Sequence, residues 1–154
     1  MPPAETVEEL ADWPKPGTGN AGPVLRYGAG PLKLAYDTSD NKVAVVTIPI
    51  CLQVLCGHPN DEVLQGHPLY GKGLTFYSVH QVRNSSRLAA MERANSIHPR
   101  HNAASYLKDK EHWIFTFQDE TVECLVLALE GKHLFFNICN SWAEANALLA
   151  ASEA

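Results

Sequence analysis

The apolar positions of this chain fall mostly in short runs of strand character, separated by turn residues. Val24 to Tyr27 and Leu32 to Tyr36 flank a turn at Gly28-Ala29-Gly30-Pro31, and Thr38-Ser39-Asp40-Asn41 reads as a second turn. Lys42 to Cys56 carries Val43, Val45, Val46, Thr47, Ile48, Ile50 and Val54. It is apolar on both faces, the pattern of a strand central in its sheet. Pro49 stands inside this run and has no N–H for a ladder bond, so a bulge or break is expected there. Gly73 to Val82 returns to strand character, and His133 to Cys139 reads as a final strand.

Two segments carry helical spacing instead. Asn84 or Ser86 caps a helix over about 85–97, ended by His98-Pro99, because the residue before proline disfavours the helical region. Ser141-Trp142-Ala143-Glu144 has the form of a capping box and opens a helix over 141–152, with Trp142, Ala145 and Leu149 on one stripe. Residues 99–110 read as polar connection. Strands in succession with segregated helices predict an α+β domain over 23–154. Its sheet is expected to be largely antiparallel, with about six to seven strands and two helices, and a small barrel is the alternative. Residues 1–22 read as an acidic, proline-rich arm or linker, in which Glu5 to Trp13 has the spacing of a short helical turn.

The clearest hairpin joins His112–Gln118 to Thr121–Leu129 through Asp119-Glu120. A two-residue turn sets Gln118 opposite Thr121, Thr116 opposite Glu123 and Ile114 opposite Leu125. Trp113, Phe115, Phe117, Val122, Cys124 and Val126 then share one apolar face, which belongs against the core. The other face holds His112, Thr116 and Glu123 among Ile114, Leu125 and Leu127. A carboxylate in such surroundings needs a partner if it is covered, and without one its pKa rises.

Composition narrows the class. With 154 residues, 45% of them hydrophobic and 19% charged, the chain can build one core and is neither disordered nor fibrous. The net charge is -5, and Glu5, Glu8, Glu9 and Asp12 in the arm account for most of it. No basic stripe accompanies it, so a nucleic acid is not an expected partner. No apolar run approaches the roughly 18 residues of a membrane span, and the first residues lack a secretory pattern. A cytoplasmic protein without membrane contact is expected, with Cys51, Cys56, Cys124 and Cys139 as free thiols.

Candidate chemistry concentrates in 57–72, where His58, Asp61, Glu62 and His67 accompany Tyr70 and Lys72. Imidazoles and carboxylates serve general acid–base catalysis near neutral pH, and they also ligate zinc, iron or manganese. His58, Asp61, Glu62, His67 and Glu123 are therefore the candidate catalytic residues, with His112 in support. His58, His67, His98 and His101 are the candidate ligands of a divalent metal. Their spacing matches no established metal motif, and a turn or helix-end histidine is the plainer reading of each one taken alone. Cys56, at a strand end two residues before His58, is the remaining nucleophile candidate. Two functions from different classes stay open. One is a small-molecule or metal site over the sheet. The other is a non-enzymatic, self-associating interaction module, a homo-oligomer with an exposed apolar patch. A carrier with a cavity between sheet and helices is a third, weaker reading.

Overall fold

The computed structural model describes residues 3–18 and 22–151. Met1, Pro2 and residues 19–21 of the expected arm, and the last position of the expected C-terminal helix, lie outside the described residues. The strands are β1 (Thr6–Glu9), β2 (Val24–Arg26), β3 (Leu32–Asp37), β4 (Val43–Ile48), β5 (Cys51–Gly57), β6 (Val79–Arg83), β7 (Lys110–Thr116), β8 (Thr121–Leu127) and β9 (Phe135–Cys139). The helices are α1 (Ser86–Asn95), α2 (Ala103–Leu107) and α3 (Trp142–Ala150), and two short 3-10 turns lie at Asp61–Gly66 and Tyr70–Lys72.

The structure is mostly sheet with a few helices, and its sheets are antiparallel, as expected. Instead of one sheet of six to seven strands there are two, ordered β1-β6-β7-β8-β5 and β2-β3-β4-β9, and no closed barrel forms. The reason lies at Pro49. The long apolar run breaks there, and the chain crosses from the four-stranded sheet to the five-stranded one between Ile48 and Cys51. Only β4, the first half of the run, is central, and all six of its residues are buried. β5, the second half, is an edge strand with a register shift between Cys51 and Gln53.

The main core lies between the two sheets. Leu32, Leu34, Tyr36, Ala44, Val46 and Ile48 pack against Val79, Trp113, Phe115, Val122, Cys124 and Val126. The other face of β4 is apolar because α3 covers it, setting Ala145 and Leu149 on Ala35, Val43, Val45 and Cys139. Lys33 joins the two layers. Its buried ammonium donates to Leu148 O (2.7 Å) and Ala151 O (3.0 Å), carbonyls at the C-terminal end of α3, where the dipole favours a cation.

The outer face of the five-stranded sheet is covered by the connection from β5 to β6. Leu64, Leu69 and Leu74 pack there on Val82 and Ile114. Residues 73–78, expected to continue the strand, instead fold over this face, and β6 begins only at Val79. The helical turn expected over Glu5–Trp13 is also replaced, because Thr6–Glu9 pairs with the otherwise open edge of β6, Thr6 opposite Arg83. Ladder bonds satisfy this backbone, whereas a lone helical turn satisfies little of its own. Trp13 then docks edge-on against Trp113 (4.8 Å) and Phe136 (4.9 Å). α2 occupies part of the connection read as irregular, with Asn102 capping Ser105 N.

Candidate functional site

The hairpin of β7 and β8 supplies the floor of the site. Its turn spans Phe117–Glu120, longer than expected, so Thr116 pairs with Thr121, Ile114 with Glu123 and His112 with Leu125. The register has moved by two residues. Because side chains alternate with period two, an even slip leaves every residue on its expected face. Glu123 and His112 therefore stand as diagonal neighbours on the face covered by the β5–β6 connection.

That connection is stitched down at several points. Thr121 Oγ1 donates to Pro59 O (2.8 Å), Asp61 N to Gln118 O (2.8 Å), and Tyr77 Oη to Asp61 Oδ2 (2.5 Å). Farther along, the buried His80 accepts at Nε2 from Thr75 N (3.1 Å), and its Nδ1–H donates to Ile114 O (3.1 Å). Burial lowers the His80 pKa, in keeping with this neutral, fully used ring.

His67 arrives from this covering segment above Glu123. Its Nδ1 accepts from Leu69 N (3.0 Å), so the ring proton lies on Nε2 and is donated to Glu123 Oε2 (2.7 Å). His112, buried in the floor, donates from Nε2 to Glu123 Oε1 (2.9 Å). Its Nδ1 meets Ser85 Oγ at 2.7 Å, and Ser85 Oγ itself accepts from Leu88 N (3.1 Å) as the N-cap of α1. One assignment of protons satisfies every group: Leu88 N–H to Ser85, Ser85 O–H to His112, and both imidazoles to an ionised Glu123. Burial alone pushes the Glu123 carboxyl upward. Hydrogen bonds from His112 and His67 outweigh it and hold the pKa down at about 2.

Two cavities flank the start of α1. The smaller, of about 360 Å³, is lined by Glu5, Leu55, His58, Pro59, His67, Pro68, Leu69, Ser86, Arg87 and Glu123. Glu5 reaches it from the arm, accepting from Ser86 N (2.7 Å), Ser86 Oγ (2.9 Å) and Lys72 Nζ (3.2 Å). Its pKa is raised by burial and lowered more strongly by these donors together. Arg87, half-buried, has no hydrogen-bond or ion-pair partner among the described residues, and neither does the exposed His58 ring. The larger cavity, of about 580 Å³, lies on the side of α1 that carries Ser85, Leu88 and Ala89.

The structure thus brings His58, His67 and Glu123 to one cavity, with His112 directly behind. Asp61 is held by Tyr77, Glu62 is exposed, and neither lines that cavity. His98 and His101 are separate from it. His98 Nδ1 accepts from Arg100 N (3.1 Å), and His101 ties α1 to the following segment through Asn95 (2.9 Å) and Glu92 (2.5 Å). The four histidines read as metal ligands therefore form no common site, and no group of three or more His, Cys, Asp or Glu side chains among the described residues is arranged to hold a metal ion. Cys56 donates to Glu120 Oε2 (3.1 Å), and burial with that carboxylate raises its thiol to about 11, away from a reactive thiolate.

Sequence reasoning missed Ser85, Arg87 and Glu5. Asn84-Ser85-Ser86 reads only as a helix start, and no spacing in the sequence gives Arg87 a role. The usable signal was the strand–cap–helix order, which sets a cap hydroxyl beside the neighbouring strand. No helix among the described residues is long and apolar enough to cross a membrane. No family model, no curated protein and no solved structure matches the chain.

Proposed function

We propose that the protein binds a small organic anion, a carboxylate with an apolar body, in the 360 Å³ cavity at the start of α1. The observation that carries this reading is Arg87, a half-buried cation on the cavity wall with no protein partner among the described residues. The two carboxylates of the same wall are already engaged: Glu5 by Ser86 and Lys72, Glu123 by His67 and His112. Leu55, Pro59, Pro68 and Leu69 offer apolar surface for the body of the ligand, and a cavity of this size suits a small molecule. His58, at the mouth, adds a hydrogen-bonding ring. Guanidinium–carboxylate pairing supplies both charge and two-pronged geometry.

The self-association reading has weaker support. The exposed apolar residues of edge strand β9, Phe135 and Ile138, are three apart and so lie on opposite faces of the strand.

Thermal unfolding with benzoate and hexanoate tests the binding reading, with benzamide as the neutral control. Benzoate or hexanoate is expected to raise the melting temperature with the logarithm of its concentration above Kd, the stabilisation being about 1.4 kcal/mol at roughly ten times its Kd. Arg87→Gln should abolish the effect. No stabilisation, or an equal one in Arg87→Gln, sinks the reading.

A further inference from the structure

We infer that Ser85, His112 and Glu123 form a nucleophilic triad facing the larger cavity, with carboxylic esters of small apolar acyl groups as its substrate class. Its nucleophile lines a different cavity from Arg87, and the two sites meet at Glu123, which lines the Arg87 cavity. Three observations meet at Ser85. Its hydroxyl lies 2.7 Å from His112 Nδ1, and His112 Nε2 lies 2.9 Å from Glu123 Oε1. The residue lines the 580 Å³ cavity, beside the apolar Val82, Leu88, Ala89 and Leu107. It follows Asn84, whose φ of +55° turns the chain sharply between β6 and α1, so Ser85 sits at a strand–turn–helix junction.

A cap needs only the oxygen of Ser85, as acceptor for Leu88 N. A buried imidazole and carboxylate behind the hydroxyl exceed that need. Here they stand in the order of a base and its orienting acid. The ring nitrogen facing the serine is Nδ1, and the one facing the carboxylate is Nε2. Either ring nitrogen can serve as the base while the other donates to the carboxylate, since each stands within hydrogen-bond distance of its partner. His67 also has a place in this arrangement. By donating to the second oxygen of Glu123, it fixes the carboxylate whose charge stabilises an imidazolium at His112.

The step balances without a further reagent than water. Ser85 Oγ bonds to the ester carbonyl carbon while its proton passes to His112 Nδ1. The C–O bond to the alcohol then breaks, and His112 Nδ1 returns that proton to the departing alkoxide. Water attacks the acyl-serine, giving a proton to His112 Nδ1. The acyl C–Oγ bond breaks, the carboxylic acid leaves, and the proton returns to Ser85. Throughout, Nε2–H stays on His112 and Glu123 stays ionised. The Leu88 N–H on Ser85 Oγ supports negative charge there as the proton leaves.

The test is covalent capture with phenylmethylsulfonyl fluoride, read by intact mass and peptide mapping, beside hydrolysis of 4-nitrophenyl acetate. One adduct on Ser85 is expected, with hydrolysis at least tenfold above that of an equal concentration of free imidazole. Ser85→Asn keeps a side-chain oxygen for the cap but removes the nucleophile. It should show the wild-type circular dichroism and lose both adduct and hydrolysis. Ser86, exposed in the same turn and without a histidine, is the internal control. No adduct, an adduct on Ser86, or undiminished hydrolysis in Ser85→Asn overturns the inference.

Discussion

At Glu123 the cost of burying a charge is met by two imidazole N–H groups, and the direction of the resulting pKa shift makes a pH prediction. Its folded value, about 2, lies below the ordinary 4.5. The stabilisation is therefore fully present above pH 4.5 and is lost as pH falls toward 2, by at most about 3 kcal/mol. Urea unfolding midpoints between pH 7 and 2.5 should show that fall in the wild type and a shallower one in Glu123→Gln. The variant itself should lose about 1–3 kcal/mol at neutral pH, because its amide would face a histidine N–H that has no other acceptor. Parallel pH profiles would exclude a hydrogen-bonded, ionised Glu123. The polar face that carries Glu123 and His112 was legible in the sequence, since alternation fixes it even when the turn length is misjudged by two. Ser85 and Arg87 were not. Their roles come from how α1 lies against β7 and the covering segment, a tertiary relation of which the strand–cap–helix order carries only the cap at Ser85.

Among the elements, β1 shows how far an edge can override local propensity. Glu5 to Trp13 has helical spacing, yet β6 offers an open ladder, and the strand wins. The seat for β1 is made by Gly73, whose φ is +121°, and a Cβ there would stand 2.2 Å from Val7 O. Gly73→Ala should therefore cost about 2–3 kcal/mol, combining backbone strain with a clash against main chain. Amide exchange should quicken first in 6–9 and 79–83, the two paired strands. Exchange unchanged in those strands would show that β1 is not held by this contact. The break at Pro49 was readable from proline chemistry. That the chain changes sheets there was not, because a run apolar on both faces looks the same under a helix as between two sheets. α3 supplied the missing cover for β4, and its capping box had announced the helix but not its place.

At the scale of the whole molecule, the two sheets share one core, with Trp113, Phe115, Tyr36 and Val46 in a single cluster. The structure is consequently expected to unfold as one unit. A variant keeping only Trp113, which lies between the sheets, should have the same denaturation midpoint by fluorescence as by far-ultraviolet circular dichroism. One keeping only Trp142, which bonds Asp37 from α3 (2.9 Å), should show the same coincidence. Separate midpoints within either variant would mean that its part of the fold melts on its own. α3 has one further tie, the ammonium of Lys33 held on its last carbonyls. An amine so enclosed is withdrawn from acylating reagents in the surrounding water while exposed lysines such as Lys15 remain open to them. The fold thus carries its own chemical clock for the departure of its last helix: Lys33 becomes nucleophilic toward solvent reagents at the rate at which α3 lifts from the sheet.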